Sequence, residues 1–193
     1  TGVQTCALPI WLTHTEGIVN VNFSKELLNV ELDRQEKLLE AVTFSLLDID
    51  GVNGVIIQVD GSNINTLWKD KNLPIIFDKS YGINKKYDIR KTKDIQKVVI
   101  YYIEEIDKEK YYVPITKYID DNREKISIII DELSSNYIYE PNLVSYLNQN
   151  TELINFEIDN DTMILNFNTS IFMSDKEILE EVIYTISYSV FDN

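Results

Sequence analysis

His14 is the only histidine of the chain and Cys6 its only cysteine, and those two facts bound most of the chemistry open to it. Zinc is held by thiolate and imidazole donors, so one His would need carboxylates or another chain to complete a site. A nucleophilic triad would have to use His14 as its base, and no G-x-S-x-G elbow is present. Asp48, Asp50 and Asn53, beside Gly51 and Gly54, have the composition of a calcium loop. The spacing fails, because Val52 falls where an oxygen ligand belongs and the closing Glu is missing. Asp159-Asn160-Asp161 fails likewise at Met163. Both stretches read as turns, since Asp, Asn and Gly are what turns require. Glu104-Glu105 and Glu180-Glu181 are adjacent pairs that point apart and read as solvated faces. Tyr101, Tyr102, Tyr111 and Tyr112 offer a binding face, although at strand positions tyrosines more often pack on a sheet with the hydroxyl at the rim. Glycine-rich phosphate loops are absent. The residues therefore assign no catalytic, cofactor-binding or metal site, and they imply no cofactor.

The elements that would position these residues occur twice. Val21-Asn22-Phe23 matches Leu165-Asn166-Phe167 at an offset of 144. Leu39-Glu40 matches Leu179-Glu180 at an offset of 140, which predicts a second strand-to-helix loop four residues shorter. A repeat of this length marks a tandem array of one supersecondary unit. In the first copy, residues 18–23 alternate as a half-buried strand with Val19, Val21 and Phe23 on one face. Asp33 with Glu36 resembles a capping box, and Leu38, Leu39, Val42, Leu46 and Ile49 form one helical stripe. Val55–Val59 is a strand closed by the turn Asp60-Gly61. Residues 98–103 and 111–119 read as strands, with Pro114 confining the second to an edge or bulge. Asp121 with Glu124 suggests a helix carrying Ile126, Ile129, Ile130 and Leu133. One turn is expected around Leu143 to Leu147, then a hairpin of residues 153–158 and 162–167. Ser174 with Glu177 is expected to cap a last helix with the stripe Ile178, Leu179, Val182, Ile183 and Ile186. Helices with one apolar stripe must cover a sheet, which gives a two-layer α+β fold with helices on one face.

Residues 1–10, TGVQTCALPI, resemble the translation of a sequencing-adapter oligonucleotide and are set aside from the fold. The expected layout is then residues 11–61 as the C-terminal half of a first domain, 62–96 as a linker, and 97–193 as a second domain lacking its last strand. Hydrophobic content of 44% and charged content of 26% are those of a globular protein. No apolar run approaches the roughly 20 residues of a membrane-spanning helix. A net charge of −14 opposes nucleic acid and anionic lipid, and it suits a basic partner.

Taken together, these segments resemble the GerM domain family of bacterial sporulation and spore germination proteins, in tandem copies. The first copy matches through Val19–Ser24, Leu38–Leu46 and Gly51–Gly61. The second matches through Ile100–Tyr102, Tyr112–Thr116, Leu143–Leu147, Asn166-Phe167 and Leu179–Ile186, with Ile83-Asn84 between the copies. The resemblance implies a fold similar to the ring-building motif of spore-envelope assembly proteins. It also implies a non-enzymatic module that works through protein–protein assembly in the spore or cell envelope. Partners would be envelope or spore-assembly proteins, self-assembly included, with no nucleic acid. The intact protein would be an extracytoplasmic lipoprotein that meets the membrane only through an N-terminal anchor outside this sequence. The competing readings are an envelope lipoprotein that binds a small solute or calcium, and a subunit of a cell-wall enzyme.

Overall fold

The structure is a computed structural model that describes residues 7–69, 71–135, 140–173 and 176–193. It divides into two compact units, Thr1–Ile83 and Asn84–Asn193.

The first unit is built on a hairpin of β1 (Pro9–Thr15) and β2 (Ile18–Phe23), joined at Glu16-Gly17. Both turn residues have positive φ, the twist that a two-residue hairpin turn requires. After a 3-10 turn, Lys25–Asn29, comes α1 (Leu32–Leu47), which crosses over to β3 (Gly54–Val59). β3 lies parallel to β2, from Ile18 opposite Gly54 to Phe23 opposite Val59. Parallel neighbours need such a crossover. A tight turn then leads to β4 (Ser62–Asn63) and the short α2 (Ile64–Leu67). The sheet order is β1-β2-β3-β4. Val19, Val21, Leu27, Leu39, Val55, Ile57, Val59, Ile64 and Phe77 form its core.

The second unit has a long hairpin of β6 (Ile95–Ile106) and β7 (Glu109–Asp120), flanked by β5 (Lys86–Asp88) and β8 (Leu143–Val144) in the order β5-β7-β6-β8. A separate hairpin pairs β9 (Leu153–Asp159) with β10 (Thr162–Phe167). α3 (Lys125–Ser134) and α4 (Glu180–Phe191) complete it. The run Ile128-Ile129-Ile130 is helical and fully buried, because α3 lies among Val98, Ile100, Tyr102, Ile115 and Val182 in one core. α4 also covers part of the β6 edge with side chains. The Asn193 amide accepts from the Val99 N–H (3.0 Å) and donates to its carbonyl (2.7 Å), and Ser189 Oγ accepts from the Tyr101 N–H (2.9 Å).

The two hairpins repeat one register. Trp11 faces Asn22, Leu12 faces Val21 and His14 faces Val19; at an offset of 144, Asn155 faces Asn166, Phe156 faces Leu165 and Ile158 faces Met163. The irregularity at Ile10 recurs at Ile154. The backbone bond from Ser24 to Leu8 recurs from Asn168 to Glu152, both at 3.0 Å. Leu8, Pro9 and Ile10 thus keep the hairpin geometry although they lie within the stretch set aside on sequence.

Several expectations are corrected. Residues 62–96 are not a linker: Asn63 pairs with Gln58, Phe77 bridges Val55 and is fully buried, and Lys86–Asp88 joins the second unit's sheet. No capping box forms on α1 or α3, whose N-caps are Glu31 and Glu124 without side-chain cap bonds. Asp121 is taken instead by the Arg123 guanidinium at 2.8 Å. The strand-to-helix connection is residues 24–31 in the first unit and 168–179 in the second, so the second is the longer. There Met173 N donates to the Glu177 carbonyl and Lys176 turns back at φ +66°, which delays α4 until Glu180. The expected cap Ser174 lies outside the described residues. Leu143–Val144 makes a short strand on β6 rather than a helical turn. Ile49 and Ile183 are exposed rather than part of their stripes.

Candidate interaction surface

The sequence candidates are scattered. His14 is exposed on β1 opposite Val19. Asp48 follows α1 as its C-cap, and Asp50 and Asn53 are exposed in the turn before β3. The Asn53 backbone N–H donates to the Gly17 carbonyl at 2.7 Å, so this loop is tied to the β1–β2 turn. Of Asp159-Asn160-Asp161, Asp159 ends β9 and Asn160-Asp161 form the β9–β10 turn. Among the described residues no group of His, Cys, Asp and Glu is placed to hold a metal ion.

The tyrosines divide by face. Tyr102 is buried beside Glu132 of α3, and burial first, then that carboxylate, pushes its phenol well above the ordinary range. Glu132 also makes an ion pair with Lys117, which is almost wholly buried. Sequence reasoning missed this pair, since a Lys on an alternating strand reads as a solvated position.

Tyr101 and Tyr112 turn the other way and meet α4. Tyr101 lies 5.4 Å from Tyr188, and its hydroxyl donates to Asp192 at 2.6 Å. Burial, then that bond, raises its pKa. Tyr112 is edge-on to Tyr184 (5.6 Å) and to Tyr188 (5.4 Å), and Tyr184 and Tyr188 stack at 5.7 Å with an interplanar angle of 18°. Carboxylates frame the rings. A hydrogen bond to Glu180 raises the Tyr184 pKa. Burial, then Glu181 and Glu180, raise that of Tyr112. Lys110 forms an ion pair with Glu181 and sits 5.0 Å over the Tyr146 ring. The Tyr146 hydroxyl donates to Glu105 at 2.9 Å.

α4 therefore buries Val182, Thr185, Ile186 and Ser189 and leaves a second apolar face in solvent. Ile183 is 49% exposed, Tyr184 39%, Tyr188 41% and Phe191 92%. A covering helix is expected to be polar on its outer side. α1 follows that rule, with Asp33, Arg34, Lys37 and Ser45 exposed. The signal was in the sequence: residues 182–191 are apolar around most of the helix, a pattern that a search for one stripe passes over.

The geometry defines a class: a mixed α+β tandem-repeat protein in which one βαβ-type unit and one two-hairpin unit share a repeated hairpin. The family model described as sporulation and spore germination (Germane) matches residues 9–65 and 99–191, and the chain belongs to that family. It is 25% identical over 185 residues to the spore germination protein GerM of Bacillus subtilis (strain 168), a match covering 89% of this chain and 50% of that protein. Its fold is that of the solved tandem GerMN domains of the sporulation protein GerM from Bacillus subtilis, with a TM-score of 0.81 and 23% identity over 94% of this chain and 66% of that one. The chain thus spans half the length of the curated relative. Among the described residues no helix is long and apolar enough to cross a membrane.

Proposed function

We propose that this chain is a non-enzymatic module of sporulation and spore germination that works through protein–protein assembly in the spore or cell envelope. The observation that carries the reading is the exposed outer face of α4, where Tyr184, Tyr188 and Phe191 stand in solvent. Large exposed apolar patches mark interaction sites more often than they serve a lone domain. Membership of a sporulation and germination family supports the setting. In the intact protein the module sits outside the cytoplasm on a lipid anchor. The free edge of β10 would accept a further strand, parallel to it as β3 is to β2.

The test is made in the source organism. Deleting the gene should impair sporulation or germination. A photo-crosslinker at Ser187, on the exposed face of α4, should capture a defined envelope protein that one at Lys37 of α1 does not. An unimpaired deletion strain, or wall-degrading activity in the purified protein, would overturn the reading.

A further inference from the structure

We propose that the tyrosine face of α4 is a docking surface for a cationic, arginine-bearing segment of a partner protein. The inference rests on the assembly reading and adds the chemistry of the partner.

Three observations point to a cation. Tyr184 and Tyr188 are stacked and partly exposed, so the ring surface not covered by Tyr101, Tyr112 and each other can take a planar guanidinium, which binds over aromatic faces more readily than an ammonium does. The rings lie among carboxylates of the same helix: Glu180 and Glu181 at its start and Asp192 just past its end, bonded respectively to Tyr184, Lys110 and Tyr101. An arginine laid on the rings would therefore find charge-assisted acceptors at either end of the face. The molecule also shows the mode at its own rim, where Lys110 bonds Glu181 while lying over the Tyr146 ring.

Charge selects this occupant over a second copy of the chain. Two such faces brought together would set Glu180, Glu181 and Asp192 against their own kind, on chains that each carry a net charge of −14. Like charges across an interface oppose association, whereas a basic segment is drawn in.

The probe is a labelled peptide of alternating Arg and Gly, titrated into the whole chain at physiological salt, where long-range attraction is screened. The pair Tyr184→Ser with Tyr188→Ser should raise Kd about tenfold, the sum of two exposed cation–π contacts. The pair Glu180→Gln with Glu181→Gln should raise it and flatten its salt dependence. Removing the same charge elsewhere, with Asp48→Asn and Asp50→Asn, should leave it within about twofold. On the unsubstituted chain, peptide-induced NMR shifts should fall on α4 and β7, a readout that needs no variant to fold. Equal weakening by all three pairs, no effect of the tyrosine pair, shifts spread over the chain, or dimerisation through this face that the peptide does not reverse would overturn the proposal. Peptide binding tests the surface alone, so its failure is separable from that of the sporulation phenotype.

Discussion

β1–β2 and β9–β10 are the same hairpin in two settings. Register, irregularity and closing bond agree at an offset of 144, yet β2 has β3 along its free edge while β10, among the described residues, pairs with β9 alone. Asn22 and Asn166 show what that difference does to one side chain. Asn22 is 4% exposed, and its Oδ1 accepts from the Gly61 N–H at 2.9 Å, fixing the turn that ends β3. Asn166 is exposed and bonds across its own hairpin to Asn155. The repeat therefore preserves the hairpin, and what lies beside the hairpin decides whether a residue is structural.

The comparison can be broken first at the cores that hold each copy. Glu132→Ala would remove the carboxylate paired with the almost wholly buried Lys117 and should destabilise the second unit by about 3 kcal/mol. Trp11 and Trp68 both lie in the first unit, so urea unfolding followed by tryptophan fluorescence and by far-UV circular dichroism separates the effects. An equal shift in both signals would mean that the copies unfold as one. Next, Asn22→Ala should cost about 1–3 kcal/mol through the orphaned Gly61 N–H, and Asn166→Ala less than about 0.5 kcal/mol. Equal costs would dissolve the contrast. Gly17→Ala should cost about 1 kcal/mol in thermal melts, because φ is +79° and a Cβ would lie 3.2 Å from the Gly51 carbonyl oxygen.

The smallest effects are those of pH. Tyr101 and Tyr102 titrate above the ordinary tyrosine value in the folded state. A raised folded pKa gives stability that is present below the unfolded value and lost above it. The stability of the second unit should thus begin to decline above about pH 10, with the phenolate absorbance of these two rings lagging that of the exposed tyrosines. Glu181 and Asp121 are held below the usual carboxylate range, by the Lys110 and Arg123 hydrogen bonds respectively. Their contribution is present at neutral pH and fades as pH falls through their folded values. The acid loss should be shallow, because both pairs are partly exposed.

The alternation of residues 18–23, the apolar run of residues 98–103 and the isoleucine stripe of α3 were legible because period and burial coincide in them. The capping boxes were not. Asp121 and Glu124 have capping-box spacing, but α3 begins three residues later with Glu124 as its N-cap, and Asp121 is held by the Arg123 guanidinium. The match of Leu39-Glu40 to Leu179-Glu180 misplaced α4. Leu39 and Glu40 lie inside α1, whereas Leu179 precedes α4 and Glu180 begins it, since Met173 and Lys176 are bonded outside the helix, Met173 N–H to the Glu177 carbonyl and Lys176 N–H to the Met173 carbonyl. The polar stretch after β3 hid Phe77, which bridges Val55 and packs edge-on to Tyr81 in the first unit's core. The apolar character of residues 182–191 was legible, but the meeting of Tyr101 and Tyr112 with α4 from two strands was not, since no spacing in the chain encodes it.

Residue-resolved amide hydrogen exchange on the 193-residue chain tests the central claim, one hairpin in two settings, most directly. The amides of β2 that bond to β3 should be protected, while those of β10 that face away from β9 should exchange as open edge groups. Adding a synthetic peptide that copies residues 52–61 should protect the β10 set and leave β2 unchanged. Equal protection of β2 and β10 in the free chain would contradict the account.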